Sequence, residues 1–414
     1  MKRIDGGVTA AKGFFAANAA AGIKYQGRDD MALVYSEVPC VAAGTFTTNV
    51  VKASPVVWDM NLLKKGNKIQ AVVLNSGIAN ACTGTVGDEM NDIMATSMAE
   101  ALNANVANAD LTKEMVFTAS TGVIGMQLPK EPLVKGCGML SKALGDSREA
   151  ANKAARAIMT TDTVPKEACV SFEIDGKTVY IGGMAKGSGM IHPNMATMLS
   201  VVTTDVAIAA PLLQKAVSEV VADTFNMISV DRDTSTNDSF MVLANGLCGN
   251  QEITEENDNY QLFKEALYEV SKTLAKNMAK DGEGAEKLFE TVVMGAKTKE
   301  KAKILAKSVI TSNLVKTAIY GSDANWGRIL CALGYAGVDF DPENVDLYIT
   351  DGKQKMLLFT KGMATDYSEE EATRILSAKE VTAICDMHEG NESATAWGCD
   401  LTHEYVTING DYRS

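Results

Sequence analysis

Histidine is scarce in this chain: His192, His388 and His403 are the only three among 414 residues. So few imidazoles supply a Ser-His-Asp triad poorly, and the chemistry is expected to rest on other side chains. The eight cysteines (40, 82, 137, 169, 248, 331, 385 and 399) are scattered, without a Cys-x-x-Cys pair. That pattern argues for reduced, mostly buried thiols, and against a zinc site. No uninterrupted apolar run reaches the length of a membrane span. The start, Met1-Lys-Arg-Ile-Asp, lacks the apolar core of a signal peptide, so a cytoplasmic protein is expected. Positive charge is also in deficit. Thirty-nine Lys and Arg against 52 Asp and Glu leave a net charge of −13, which would repel nucleic acid and anionic membrane alike. No internal repeat or low-complexity linker interrupts the chain.

What is present is ordinary for a globular protein: 46% apolar and 22% charged residues, in a chain long enough for a sizeable core. Strand-like runs are expected at residues 32–36, 43–48, 70–75, 115–120, 178–182 and 197–202. Later ones are expected as a hairpin at 345–350 and 355–360, at 381–386, and in the segment from Asp400 to the end. Apolar positions at three-four spacing predict helices over 88–103, 147–159, 209–227, 260–280, 299–320 and 368–378, with another apolar helix after Gly327. Short strands mixed with long helices indicate an α+β fold of layered sheets and helices.

The most informative stretch is Lys186-Gly-Ser-Gly-Met-Ile-His-Pro-Asn-Met-Ala-Thr197. Two close glycines and a proline form a loop that can hold an unusual conformation. A small residue, Ala196, then precedes Thr197 at the start of an apolar strand. Self-cleavage needs such a hydroxyl beside a preceding carbonyl, little bulk, and a strained turn. After a cut, Thr197 would carry its own amine as base beside its own nucleophile. A Gly-rich loop before a core strand reads equally as plain structure.

Four other stretches carry polar groups at turns. Ser76-Gly-Ile-Ala-Asn-Ala-Cys-Thr-Gly84 follows a buried strand, where α/β proteins place ligand-facing backbone. The Thr121 hydroxyl and Gly122 N–H sit at a sharp turn and could point two donors at one oxyanion, or merely lead into a helix. Asp231 and Asp233, in Ser229-Val-Asp-Arg-Asp-Thr-Ser-Thr-Asn237-Asp-Ser239, lack the later Gly and Glu of an EF-hand. A hydrogen-bonded network near the active site is therefore expected there, and no metal. Glu283 lies between glycines, which would let its carboxylate enter a tight pocket, or it is a solvated loop residue. Thr160-Thr-Asp-Thr163 could stop a helix or bind a polar substrate end.

These motifs together resemble the ornithine acetyltransferase family, glutamate N-acetyltransferases of arginine biosynthesis. The likeness covers essentially the whole chain, through Gly44-Thr-Phe-Thr-Thr-Asn49, Asn75 to Gly84, Ser120-Thr-Gly-Val-Ile-Gly125, Ile191 to Leu199, Asp281-Gly-Glu-Gly-Ala285 and Asn325-Trp-Gly-Arg328. It implies the self-processing fold of the DmpA-like aminopeptidases, similar in layering to Ntn hydrolases but connected differently. It implies cleavage between Ala196 and Thr197, giving an α chain of 1–196 and a β chain of 197–414. These would form one intertwined catalytic unit, with or without a smaller C-terminal subdomain. Thr197 would be the nucleophile, Thr121 and Gly122 the oxyanion hole, and Thr160, Lys186, Glu283, Asn409 and Ser414 the substrate contacts. Acetyl would pass from N-acetylornithine to glutamate without a cofactor. Acetyl-CoA would be a further substrate if the enzyme is bifunctional, and the α and β chains would associate two and two. The family's final threonine is Ser414 here, its glycine after Val-Asp is Arg232, and its proline before Asn-Trp-Gly is Ala324. A related N-terminal-nucleophile amidohydrolase, and a binding protein that never cleaves, are the alternative readings.

Overall fold

The runs at 31–35, 71–74 and 240–244 are apolar at every position, a pattern that calls for burial on both faces. The computed structural model describes residues 1–192 and 198–412. It divides into two compact units, the first made of Met1–Gly187, Pro193–Phe225 and Thr234–Leu274. Nine strands of this unit form one sheet: β1 (Lys2–Arg3), β2 (Phe14–Ala19), β3 (Met31–Phe46), β4 (Ile69–Asn75), β5 (Val116–Ser120), β6 (Lys166–Ile174), β7 (Lys177–Lys186), β8 (Leu199–Thr204) and β9 (Ser239–Ala244). Their spatial order is β1-β6-β7-β8-β9-β3-β4-β5, with β2 paired to β3. Two neighbouring pairs, β8–β9 and β4–β5, are parallel.

Helices cover both faces of this sheet: α1 (Ser54–Lys64), α2 (Gly84–Asn105), α3 (Lys130–Lys142), α4 (Arg148–Ala157) and α5 (Ala210–Asp223). On β4 the side chains alternate between two cores. Ala71 and Val73 join Met94 and Met98 of α2 and Leu133 of α3, while Val72 and Leu74 join Ala154 and Ala155 of α4. Truncating Leu74, fully buried between strands and helix, would cost about 2–5 kcal/mol.

The second unit comprises Ser188–His192, Asn226–Asp233 and Ala275–Ser414, and the long helix α6 (Asp258–Lys280) enters it after Leu274. Its sheet contains β10 (Leu288–Ala296), β11 (Asp346–Thr350), β12 (Lys355–Thr360), β13 (Met363–Ala364), β14 (Glu380–Asp386) and β15 (Glu392–Cys399). The order is β13-β12-β11-β14-β10-β15. Helix α7 (Lys299–Thr311) packs on β10 and β15, and α8 (Asn313–Tyr320), α9 (Trp326–Gly334), α10 (Glu369–Leu376) and α11 (His403–Gly410) complete the unit. Among the described residues no helix is long and apolar enough to cross a membrane.

The α+β layering expected from the sequence is present, but several elements differ. The strands expected at 32–36 and 43–48 are one strand, β3, whose register slips between Tyr35 and Cys40. The helix expected over 209–227 stops at Asp223, because Thr224 leaves helical geometry (φ −127°, ψ −85°). The helix expected over 299–320 is two, since Ser312 is extended and its hydroxyl caps α8 by accepting the Val315 N–H. The strand expected near the C-terminus is the helix α11. Its β-branched run, Val406-Thr-Ile408, suggests a strand by propensity, but Thr402 starts a helix there and ties itself to the Gly284 carbonyl.

Candidate active site

In the first unit, β4 and β5 end side by side, and the turns that follow them are laced together. The Thr121 N–H donates to the Asn75 carbonyl at 3.0 Å, the Val123 N–H to Gly77 at 3.1 Å, and the Ala79 N–H to Val123 at 3.0 Å. Asn237 ties both turns from β9's approach, donating to the Ala79 carbonyl at 2.5 Å and the Ser120 carbonyl at 2.8 Å. Gly122 has a φ of +131°. A Cβ there would sit 2.2 Å from the Gly77 carbonyl carbon, so only glycine fits the crossing. Among the described residues its N–H meets no backbone acceptor.

Lys186 closes β7 and is nearly buried. Its ammonium donates to Thr160 Oγ1 at 2.9 Å and Thr121 Oγ1 at 3.3 Å. The Thr121 oxygen therefore accepts from a cation, which leaves its own proton to be donated elsewhere. Behind this pair lies Asp162, which accepts from Lys166 Nζ at 2.5 Å, the Gly187 N–H at 2.7 Å and the Thr160 N–H at 3.1 Å. Lys186 Nζ is 3.9 Å from Asp162 Oδ2, the oxygen that accepts the Thr160 N–H. Burial opposes ionisation of Asp162, but the two lysines and the Gly187 N–H outweigh it and hold its pKa down to about 2. It is a permanent carboxylate that fixes both Lys186 and the start of the glycine loop. The sequence pointed to the Thr160–Thr163 cluster without singling out Asp162; its position four before Lys166 was the available signal.

In the second unit, Glu283 is nearly buried and receives the Asn409 side-chain amide on Oε2 at 2.8 Å. The glycines around it leave it room, Gly284 against backbone and Gly189 against the carboxylate itself. A Cβ on Gly284 (φ +68°) would meet the Tyr405 nitrogen at 2.6 Å, and one on Gly189 would overlap the Glu283 carboxylate at 2.2–2.3 Å. The Glu283 N–H donates to the Ser188 carbonyl at 2.9 Å. Asn409 reaches Glu283 because α11 is a helix.

The structure thus gathers Thr121, Gly122, Thr160 and Lys186 in one unit, and Glu283 and Asn409 in the other. Ala196, Thr197 and Ser414 lie outside the described residues. The polar stretch at 229–239 is divided: Asp231 belongs to the second unit, Asn237 and Asp238 to the first. Asp238 is fully buried, its Oδ2 meets no hydrogen-bond partner among the described residues, and burial pushes its pKa well above the usual carboxylate range although Ser235, Lys186 and Thr47 oppose the shift.

Comparison with known proteins gives one consistent result. The model of the ArgJ family matches residues 15–414. The chain is 51% identical over 401 residues to the arginine biosynthesis bifunctional protein ArgJ 1 of Clostridium acetobutylicum, covering 97% of this chain and 96% of that protein. It is 49% identical over 414 residues to the bifunctional ArgJ of Caldanaerobacter subterraneus subsp. tengcongensis, covering all of both. Among solved structures, the bifunctional ArgJ of Bacillus halodurans is 46% identical, with a TM-score of 0.49 over 51% of this chain and 97% of that one.

Proposed function

Because the chain belongs to the ArgJ family, we propose that it is a self-cleaving acetyltransferase moving acetyl from N2-acetyl-L-ornithine to L-glutamate. The observation that carries the reading is the Thr121–Gly122 turn: a hydroxyl polarised by Lys186 beside a glycine N–H that meets no backbone acceptor among the described residues. Two such donors at the ends of parallel strands are what a developing oxyanion needs.

The reaction begins with cleavage between Ala196 and Thr197, which frees the threonine α-amine. An amine of that type titrates near ~7.7–8.0 and is partly neutral at pH 7, so it can take the hydroxyl proton. Thr197 Oγ attacks the acetamide carbon, and the oxyanion is held by the Thr121 hydroxyl and the Gly122 N–H. The C–N bond breaks, ornithine leaves with the proton, and acetyl remains on Thr197. The amine of glutamate then attacks that ester and restores the threonine. Lys186 and Thr160 take a substrate carboxylate, and Glu283, held by Asn409, takes the ornithine side-chain amine, each offsetting charge that burial penalises. Ser414 completes the contacts. The relatives are named bifunctional, and the proposal includes acetyl-CoA as a second acetyl donor. The processed chains associate two and two, in the cytoplasm.

The test is intact mass and N-terminal sequencing of wild type and Thr197→Ala, followed by transfer of labelled acetyl from N-acetylornithine to glutamate. A fragment beginning Thr-Met-Leu-Ser, absent from the variant, together with labelled acetylglutamate, is the expected result. A single uncut chain in active wild type would remove the mechanism. Labelled acetate as the main product would favour an amidohydrolase.

A further inference from the structure

Asp231 is used by none of the steps above, yet its carboxylate is aimed at a segment forty residues away in sequence. Its Oδ2 accepts the Met190 N–H at 2.7 Å, and its Oδ1 accepts the Ile191 N–H at 2.9 Å. The Tyr405 hydroxyl donates to Oδ2 at 3.3 Å and the Asp233 N–H to Oδ1 at 3.2 Å. A local turn accounts for the Asp233 contact alone. The two N–H groups from Met190 and Ile191 need another explanation.

The residues around them are held just as closely. The Ser188 carbonyl accepts the Glu283 N–H at 2.9 Å, and the Ile191 carbonyl accepts the Val230 N–H at 2.7 Å. The Ser229 hydroxyl donates to the Ile191 carbonyl at 3.3 Å and lies 3.0 Å from His192 Nδ1. Met190 is held at φ +55°, a conformation that an unrestrained methionine avoids. So Ser188, Met190, Ile191 and His192 are each tied to a residue numbered above 197. The tethering reaches to within four residues of Ala196.

We propose that Asp231 is the positioning residue of a clamp that fixes Ser188–His192 for self-cleavage, and that afterwards keeps the new end of the first fragment on the second. This rests on the cut at Ala196/Thr197 proposed above. In the cut, Thr197 Oγ attacks the carbonyl before it, the C–N bond breaks with the proton passing to the freed amine, and water hydrolyses the resulting ester. The attack needs that carbonyl presented in one orientation, and a fixed anchor four residues upstream narrows the conformations that reach it. Two charge-assisted acceptors on consecutive N–H groups provide that anchor and hold Met190 in its left-handed geometry. Asp231 touches no substrate in this scheme, so its loss slows maturation more than transfer.

The experiment follows cell-free synthesis of full-length wild type, Asp231→Ala and Asp231→Asn. Mass spectrometry reads the fragment beginning at Thr197 over time, and amide hydrogen exchange reads Met190 and Ile191 on the purified proteins. The expected result is at least tenfold slower cleavage in Asp231→Ala, with exchange protection lost at Met190 and Ile191 and kept on β10 and β14. The Asn variant retains one acceptor oxygen and should recover part of both, so a poorly folded Ala variant still leaves a reading. Once fully cut, either variant should transfer acetyl within about threefold of wild-type kcat. Cleavage at the wild-type rate with protection lost would overturn the proposal, as would protection unchanged in both variants. A wild type that never cleaves sinks the proposed reaction instead, and the exchange arm still decides whether Asp231 holds the segment.

Discussion

Asp162 and His192 are shifted in the same direction for different reasons, and each makes the fold lose stability in acid. The pKa of Asp162, about 2 in the fold, lies below the ~3.9 of an unfolded aspartate. As pH falls the unfolded chain takes the proton first, so the stabilisation is complete above about pH 4 and lost between about 4 and 2. For this fully buried group the shift corresponds to ~2 kcal/mol. His192 is lowered to about 4, chiefly by burial and further by the Lys307 and Arg232 charges. It stays neutral in the fold while an unfolded histidine protonates near ~6.5, so its contribution is lost from about 6.5 down to about 4. Urea unfolding between pH 2 and 7 should therefore lose stability in two stages. Asp162→Asn should shrink the lower stage, and by removing the carboxylate that Lys166 and Lys186 share it should cost ~3 kcal/mol at pH 7. His192→Gln should abolish the upper stage alone. A variant profile parallel to wild type would refute the corresponding assignment. Gly189 makes a separate prediction. In Gly189→Ala the new Cβ falls on the Glu283 carboxylate, which must swing from its Asn409 tether. KM for N-acetylornithine should rise about tenfold, while the thermal midpoint moves little, because the clash is with the end of a flexible side chain.

At the scale of elements, Ser312 shows what spacing alone conceals. Apolar positions continue at helical intervals from Ala302 to Ile319, and only the geometry reveals the break. Ser312 donates its N–H to the Val309 carbonyl at the end of α7, while its hydroxyl accepts from Val315 at the start of α8. Replacing it with alanine removes the cap and should lower unfolding free energy by ~1 kcal/mol in urea titration. A change below a few tenths would mean that α8 is held by packing alone. The same contrast explains how far the sequence could be read. Buried strands such as β4, an unbroken apolar run ending in a polar turn, were legible because both faces are covered. Strands β10 and β15 were not: Leu288-Phe-Glu-Thr-Val-Val carries a buried Thr291 and a Glu290 that receives Trp397 Nε1, and β15 is built largely of small residues. Their strand character comes from pairing with each other, and for β10 also with β14. In the candidate site, Thr121, Gly122, Thr160 and Lys186 were legible as motifs, and geometry brings them together. Asp231 was legible only as a member of a polar network, and Asp162 only within its cluster, because the Met190, Ile191 and Gly187 N–H groups they hold are distant in sequence or inside a loop.

For the whole molecule, the order of strands in the first unit bears directly on the proposed cut. Strands β8 and β9 come from the chain after Thr197, and in space they lie between β7 and β3, which come from before it. Six residues of β7 pair with β8, and six of β3 pair with β9. Two fragments produced by cleavage would therefore share one sheet, with the second fragment's strands in its interior. They could not part without dissolving that core, so the cleaved protein should migrate as one species and yield equal amounts of both fragments only in denaturant. Unfolding would then release two chains from one, and mass action makes its midpoint depend on concentration. With an unfolding enthalpy of ~0.7 kcal/mol per residue for a unit of this size, the midpoint should rise by about 3 °C per tenfold increase in protein. Thr197→Ala, uncut, should show no such dependence. Scanning calorimetry of both proteins from about 1 to 100 μM makes the comparison. A wild type as insensitive to concentration as the variant would show that the sheet is still one continuous chain, and that the nucleophile is not the amine-bearing threonine argued for here.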